Sequence, residues 1–208
     1  MSKDKPVVFV IDDDASIREA LEGLILSIQF DVQTFGTTEH FLKFKRPDAP
    51  ACIILDVRLP GLNGLDFQRA LVKSNIDLPI IFITGHGDVS MSVRAIKAGA
   101  VEFLTKPFRH QDLIDAIHLG IERDRSRRQV AEIFSELKAR FALLTGRERQ
   151  IMLEVVSGRP NKQIAARLKL SEFTVKVHRG HVMHKMKARS LVDLLRMADK
   201  IQGCDATV

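Results

Sequence analysis

The sequence predicts two domains in tandem: an α/β domain on a doubly wound, five-stranded parallel sheet, then a smaller all-α domain of four helices. Three observations carry this. Short apolar runs of strand length alternate with helical patterns up to about residue 121, and after about residue 142 the pattern is wholly helical. The charge also changes sign along the chain. Residues 1–121 hold 13 Lys+Arg against 16 Asp+Glu, net −3, whereas residues 122–208 hold 19 against 10, net +9, giving the +6 of the whole. The expected boundaries are 1–122 for the first domain, 123–142 for a helical linker and 143–208 for the second.

The strand-like runs are Val7–Ile11, a weaker alternating Asp31–Phe35, Cys52–Leu55, Pro79–Ile83 and Val101–Leu104. Between them, Ile17, Leu21, Leu24, Ile25 and Ile28 repeat at helical spacing, as do Phe41 with Phe44, Phe67 with Leu71, and Met91 with Ala95 and Ala98. Strands that are apolar throughout need cover on both faces, which a parallel sheet between helix layers supplies. From His110 to Phe141 there is no Pro and a single Gly, so a long helix is expected. Its start, with Leu113, Ile117 and Ile121, should pack on the sheet, and ERDRSRRQ (122–129) reads as solvated. Val130, Ile133, Phe134, Leu137 and Phe141 suit either a short coiled contact with a partner chain or a plain connector.

Ligands of such sheets sit beyond the C-terminal strand ends. Here those ends are Asp12-Asp13-Asp14, Asp56, Thr84-Gly85 and Thr105-Lys106-Pro107. Each has a bland explanation alone, since Asp opens turns and Lys-Pro opens loops; together they place carboxylates, a hydroxyl and an ammonium on one edge. Three adjacent acids repel and resist ionising together, and a bound cation relieves that. Mg²⁺ prefers oxygen ligands, usually one or two carboxylates plus water and phosphate oxygens. Asp12, Asp13 and Asp56 fit that share, and Asp56 could attack a phosphoryl group to give an acyl phosphate. Lys106 and the Thr84 hydroxyl suit the transferred oxygens. Asp14 is expected to turn aside toward the helix containing Ser16 and Glu19, where negative charge is favourable.

The segments VVFVIDDD, IILDVRLPGLNGLDF, IIFITGHGD and AIKAGAVEFLTKPF, in this order over residues 7 to about 122, resemble the receiver domains of bacterial response regulators. The resemblance implies a flavodoxin-like doubly wound fold and a phosphoryl group passed from a sensor histidine kinase to Asp56. It also implies Mg²⁺ (or Mn²⁺) held by Asp12, Asp13, Asp56 and the Arg58 backbone carbonyl, Thr84 and Lys106 at the phosphoryl oxygens, and Phe103 as the aromatic switch. Arg58 and His86, two residues beyond Asp56 and Thr84, should flank the mouth of the site. Two rivals fall away. A haloacid-dehalogenase-type phosphatase needs a second Asp where Arg58 stands, and a dinucleotide-binding fold needs a Gly-rich turn where the three acids stand. The chain is therefore expected not to be a stand-alone enzyme.

The basic part is read as Arg147–Val156, Lys162–Leu168, Glu172–Met186 and Leu191–Lys200, with the middle pair joined by a three-residue turn of helix-turn-helix spacing. Ser171 is a good N-cap. On the helix that follows, Val175, Val182 and Met186 share one face and Phe173, Lys176, Val177, Gly180 and His184 the other. The second face suits a DNA major groove, with Lys176 and Val177 at base edges and Lys162, Thr174 and Lys185 at phosphates. LTGRE, NKQIA and LSEFTVKVHR resemble the LuxR-type helix-turn-helix, and the two parts together resemble the NarL/FixJ class, on its FixJ side. That likeness adds Arg179 and Gly180 to the DNA-binding set. Gly146 stands where that class often has Pro, and Gly180 where it has a longer side chain. The implied partners are promoter DNA, RNA polymerase and a second copy of the chain on phosphorylation. Two cysteines without metal or redox spacing, no signal-peptide pattern and no apolar run near 18 residues make a cytosolic location off the membrane the expectation, and the resemblance implies that the cytosol is bacterial.

Overall fold

A computed structural model of the chain describes residues 5–59, 64–74, 76–85 and 89–205. It divides into two compact units, residues 1–128 and 129–208. The first contains strands β1 (Val7–Ile11), β2 (Asp31–Phe35), β3 (Ala51–Asp56), β4 (Ile80–Thr84) and β5 (Glu102–Thr105). They alternate with helices α1 (Ala15–Ser27), α2 (Thr38–Lys43), α3 (Gly64–Lys73), α4 (Val89–Lys97) and the start of α5 (His110–Ala142). Every strand pair is parallel and the order is β2-β1-β3-β4-β5.

Alternation along the strands divides the core into two layers. Phe9, Ile11, Ile53, Leu55 and Phe82 face Phe41, Phe67, Leu71 and Ala95 of α2, α3 and α4. Val8, Val10, Ile54, Ile81 and Ile83 face Leu21 and Ile25 of α1 and Leu113 and Ile117 of α5. Two sequence expectations shift. Phe44 lies outside α2, at its C-cap in an extended conformation, though its ring still packs on Phe9. The stretch 122–129 is not solvated throughout: Asp124 is fully buried and accepts the Ala51 backbone N–H at 2.9 Å, while Arg127 and Arg128 pair with Asp77 and Asp48. This far end of the sheet is therefore held by a carboxylate that hydrophobic patterning does not reveal.

Gly64 opens α3 where the chain runs against the end of β3. Its N–H bonds Val57 O at 2.9 Å, and a Cβ there would stand 2.8 Å from the Asp56 carbonyl oxygen and 3.0 Å from Val57 Cα.

In the second unit the end of α5 joins α6 (Gly146–Val156), α7 (Asn161–Leu168), α8 (Glu172–Met186) and α9 (Leu191–Asp205). Its core includes Leu137, Ile151, Val155, Ile164, Val175 and Val182. Thr145 and Glu148 form a reciprocal capping box at α6. Lys169, in the left-handed region at φ 53°, ends α7 and turns the chain toward α8. Glu148 is buried and also binds Lys185 of α8 at 2.7 Å. The Lys185 hydrogen bond, helped by the Thr145 N–H, lowers its carboxyl from the ordinary 4.5 to about 2.

Two outcomes follow from these contacts. Gly64→Ala forces backbone apart and should cost about 1–3 kcal/mol in denaturant unfolding of the first unit; an unchanged midpoint would mean that the approach to β3 is loose. For Glu148, a carboxyl titrating lower in the folded state stabilises fully above the ordinary pKa and loses that contribution as pH falls from 4.5 toward 2. Its worth is on the order of 2 kcal/mol after solvent screening at the partly exposed Lys185. In EDTA, the stability gap between wild type and Glu148→Gln, read from hydrogen exchange of α6 and α8, should shrink by about half between pH 6 and pH 3. A gap independent of pH would remove the ion pair from the account.

Candidate functional site

The strand register assembles the site. Ile11 pairs with Leu55, so the next residues, Asp12 and Asp56, leave the sheet side by side. Asp56 itself pairs with Ile83, which brings Thr84 to the same edge, and Thr84 pairs with Thr105, the neighbour of Lys106. The Lys106 N–H donates to Thr84 O at 2.7 Å, and the Lys106–Pro107 peptide is cis. Residues 12, 56, 84 and 106, scattered over ninety positions of sequence, thus meet at the C-terminal edge.

Lys106 Nζ donates to Asp12 Oδ2 at 2.8 Å and to Asp56 Oδ2 at 2.7 Å. The side chains of Asp12 and Asp56 are 1% and 10% exposed and that of Lys106 19%. Burial, the largest influence on Asp12, raises its pKa, and the hydrogen bonds from Lys106 and the Asp14 N–H only partly offset it. For Lys106 burial works against the charged form, but the hydrogen bonds to Asp12 and Asp56 outweigh it and its pKa is raised. Oxygens of Asp12, Asp13 and Asp56 lie within 4.8 Å of one another, with Asp13 exposed. One ammonium thus faces three carboxylates, an all-oxygen set that could hold a hard divalent cation.

The backbone around these acids is fixed from several sides. Asp12 Oδ1 accepts the Asp14 N–H at 2.9 Å, and Asp56 Oδ1 accepts the Arg58 N–H at 2.8 Å. Asp14 turns away as expected and caps α1, accepting the Ser16 N–H at 2.8 Å and the Ser16 hydroxyl at 2.6 Å; these bonds lower its pKa. Arg18, which sequence reasoning missed, donates through one nitrogen to Asp12 O at 2.7 Å and Asp13 O at 2.9 Å. Its position one turn into α1 was the available signal. Thr84 is fully buried, and Phe103 is half-buried with its ring 6.2 Å from that of Phe82. Arg58 is exposed beside Asp56, and His86 lies outside the described residues.

In the second unit the two expected faces of α8 separate cleanly. Val175, Val182 and Met186 are buried, and Phe173, Lys176, Val177, Gly180 and His184 are exposed. Phe173 is 75% exposed, an unusual placement for an aromatic ring. Ser171 caps the helix by accepting the Thr174 N–H at 3.0 Å, and its hydroxyl lies 2.8 Å from that of Thr174. Lys162 is exposed at the start of α7, and Arg179 donates to Asn161 at 3.1 Å. Lys185 differs from the exposed Lys162 and Lys176. Its ammonium is engaged inside the unit, by Glu148 and by Leu143 O at 3.2 Å.

Residues 8–118 match the response regulator receiver domain and residues 142–198 the luxR family of bacterial regulatory proteins. Nodulation protein W of Bradyrhizobium diazoefficiens is 52% identical over 197 residues, covering 95% of this chain and 87% of that protein. The transcriptional regulatory protein FixJ of Rhizobium meliloti is 40% identical over 92% of this chain and 94% of its own length. Among solved structures, response regulator StyR superposes with a TM-score of 0.85 at 47% identity, covering 94% of this chain and 99% of that one. With a receiver fold, a basic helix-turn-helix unit and relatives spanning both, the chain belongs to the FixJ-like response regulators, transcriptional regulators in which a receiver domain precedes a LuxR-type DNA-binding domain.

Proposed function

We propose that the chain is a transcription regulator switched by phosphorylation of Asp56 from a histidine kinase. The observation that carries this is the joint seating of Asp12, Asp13 and Asp56 within 4.8 Å, with Lys106 bonded to both buried acids. Asp56 keeps an exposed fraction through which a phosphohistidine can be reached. A carboxylate oxygen of Asp56 forms the new P–O bond as the P–N bond breaks. The electron pair stays on the imidazole, which leaves neutral when its other nitrogen carries a proton. Asp12, Asp13, Asp56 and the Arg58 carbonyl are assigned to Mg²⁺ or Mn²⁺, which when bound would offset the surplus negative charge of the acids and of the incoming phosphoryl oxygens.

Lys106 is assigned to the phosphoryl oxygens, because modification neutralises the Asp56 carboxylate that it now holds. Thr84, on the adjoining strand end, is assigned the same role through its hydroxyl, and half-buried Phe103 follows it as the packing partner that changes state. The exposed apolar row Val89, Val93 and Ile96 on α4 supports pairing of two phosphorylated receivers across this face. Two paired modules then engage a dyad site cooperatively. Lys176 and Val177 read base edges from the exposed face of α8, and the exposed backbone at Gly180 allows close approach. Lys162, Thr174 and Arg179 position the phosphates. Lys185 supports them by fixing α8 to α6 and adds its positive charge to the field. RNA polymerase is the partner downstream of the bound dimer. The site of action assigned to the chain is the bacterial cytoplasm; among the described residues no helix is long and apolar enough to cross a membrane.

The deciding experiment compares wild type with Asp56→Asn for oligomeric mass and DNA affinity, with Mg²⁺ and with or without a small phosphoryl donor. The donor should produce dimers and tighter binding in wild type only; a response that survives in Asp56→Asn would overturn the assignment. For the interface, Lys162→Ala should weaken all duplexes alike and reduce the salt slope by about 1. Lys176→Ala should instead cost about 1–3 kcal/mol on the preferred site and flatten discrimination. Equal losses on specific and random DNA in both variants would contradict that division of roles.

A further inference from the structure

A second cluster of ligand-type side chains lies away from the acidic edge, between α6 and α8. One oxygen of Glu148 and one nitrogen each of His178 and His181 lie within 4.8 Å of one another. We propose that these three residues bind a divalent transition-metal ion of the zinc kind.

The Glu148 carboxylate divides its contacts. Oε2 accepts the Thr145 N–H at 2.8 Å and Lys185 at 2.7 Å, while Oε1 faces His181 Nδ1 at 3.6 Å, too far for a hydrogen bond. The capping and pairing duties thus leave Oε1 turned toward an imidazole. His178 Nδ1 is shielded from solvent and has no hydrogen-bond partner. Buried polar atoms are overwhelmingly satisfied, so an orphaned nitrogen on an imidazole that stands with a carboxylate and a second imidazole points to a missing ligand. The two rings stand 6.2 Å apart at 89°, so they are not stacked on each other. Their i,i+3 spacing puts them on one side of α8, and Glu148 arrives from the helix packed against it.

Two imidazoles and a carboxylate are ligands that zinc and its neighbours accept, with water at the fourth position. Mg²⁺ prefers oxygen, so the chain carries two chemically sorted sites: all oxygen at the receiver edge, mixed nitrogen and oxygen here. Ligand bonds of about 2.0–2.1 Å put the donor atoms about 3.3 Å apart. The present separations, none above 4.8 Å, must therefore close by at most roughly 1.5 Å. His181, which is 59% exposed, has room for that rotation. Lys185 repels a cation, but it sits on the other carboxylate oxygen, and the two imidazoles supply donors that it does not occupy. A metal bound here fastens α8 to α6 directly behind Arg179 and Gly180, so occupancy would stiffen the helix proposed to read DNA.

The test uses the untagged full-length chain in excess Mg²⁺, which occupies the oxygen site. Cu²⁺ is added as the probe and followed by electron paramagnetic resonance, whose nitrogen hyperfine splitting separates imidazole from carboxylate ligation; Zn²⁺ is the competitor. Expected is one nitrogen-coordinated equivalent per chain, displaced by Zn²⁺, with affinity lowered at least tenfold in His181→Gln and in His178→Gln. His181→Gln is the decisive variant because the ring is exposed, and unchanged circular dichroism controls for folding. The proposal is overturned if wild type shows no nitrogen-coordinated equivalent, or if His181→Gln retains the wild-type spectrum and affinity.

Discussion

The receiver unit depends on one ammonium held between two buried carboxylates. Lys106 bonds Asp12 and Asp56 at once, and all three are largely withdrawn from water. Withdrawing these charges is costly, and removing one partner of a buried pair typically costs about 3–5 kcal/mol. The arrangement is tolerable only because parallel register delivers each group to the same edge, and because both layers of the sheet are filled by apolar side chains that prevent the strands from slipping. Arg18, the Asp14 cap and the Gly64 approach add backbone restraints around the acids, so the carboxylates are presented by a rigid frame.

In the proposed function the same triad is what makes modification of Asp56 a switch. In the proposed reading a phosphoryl group on Asp56 removes a carboxylate charge and supplies new acceptor oxygens, so the present partners of Lys106 are no longer the best available. A buried charge released from its partner cannot remain unpaired at low cost. In that proposal the rearrangement is coupled to β4 and β5, which carry Thr84 and Phe103, next to the exposed apolar row of α4. The second unit has its own ion pair, buried Glu148 with partly exposed Lys185, which fixes α6 against α8 and so sets the pose of the exposed face of α8.

Much of this was legible in the sequence because it rests on periodicity. Five apolar runs gave five strands, and the acids, Thr84 and Lys106 lay at their ends, so their convergence followed from topology alone. The two faces of α8 followed from helical spacing in the same way. What escaped were contacts made by polar groups across long separations. Asp124 reads as one charge in a solvated run, yet it is buried under the start of β3. Arg18 reads as a surface residue of an amphipathic helix, yet it clamps the Asp12 and Asp13 carbonyls. Lys185 reads as a phosphate ligand by charge and helix position, yet a carboxylate thirty-seven residues earlier holds its ammonium. Charge patterning cannot tell a solvated cation from a paired one; only the tertiary neighbour does.

In the proposed function Asp56, among three neighbouring acids, forms the acyl phosphate. Phosphorylating the chain with a small donor and Mg²⁺, then reducing the acyl phosphate with borohydride, converts the modified aspartate to homoserine, which peptide mass spectrometry can locate. Homoserine is expected at position 56, dependent on Mg²⁺. Homoserine at position 12 or 13, or none at position 56 despite phosphoryl incorporation, would contradict it.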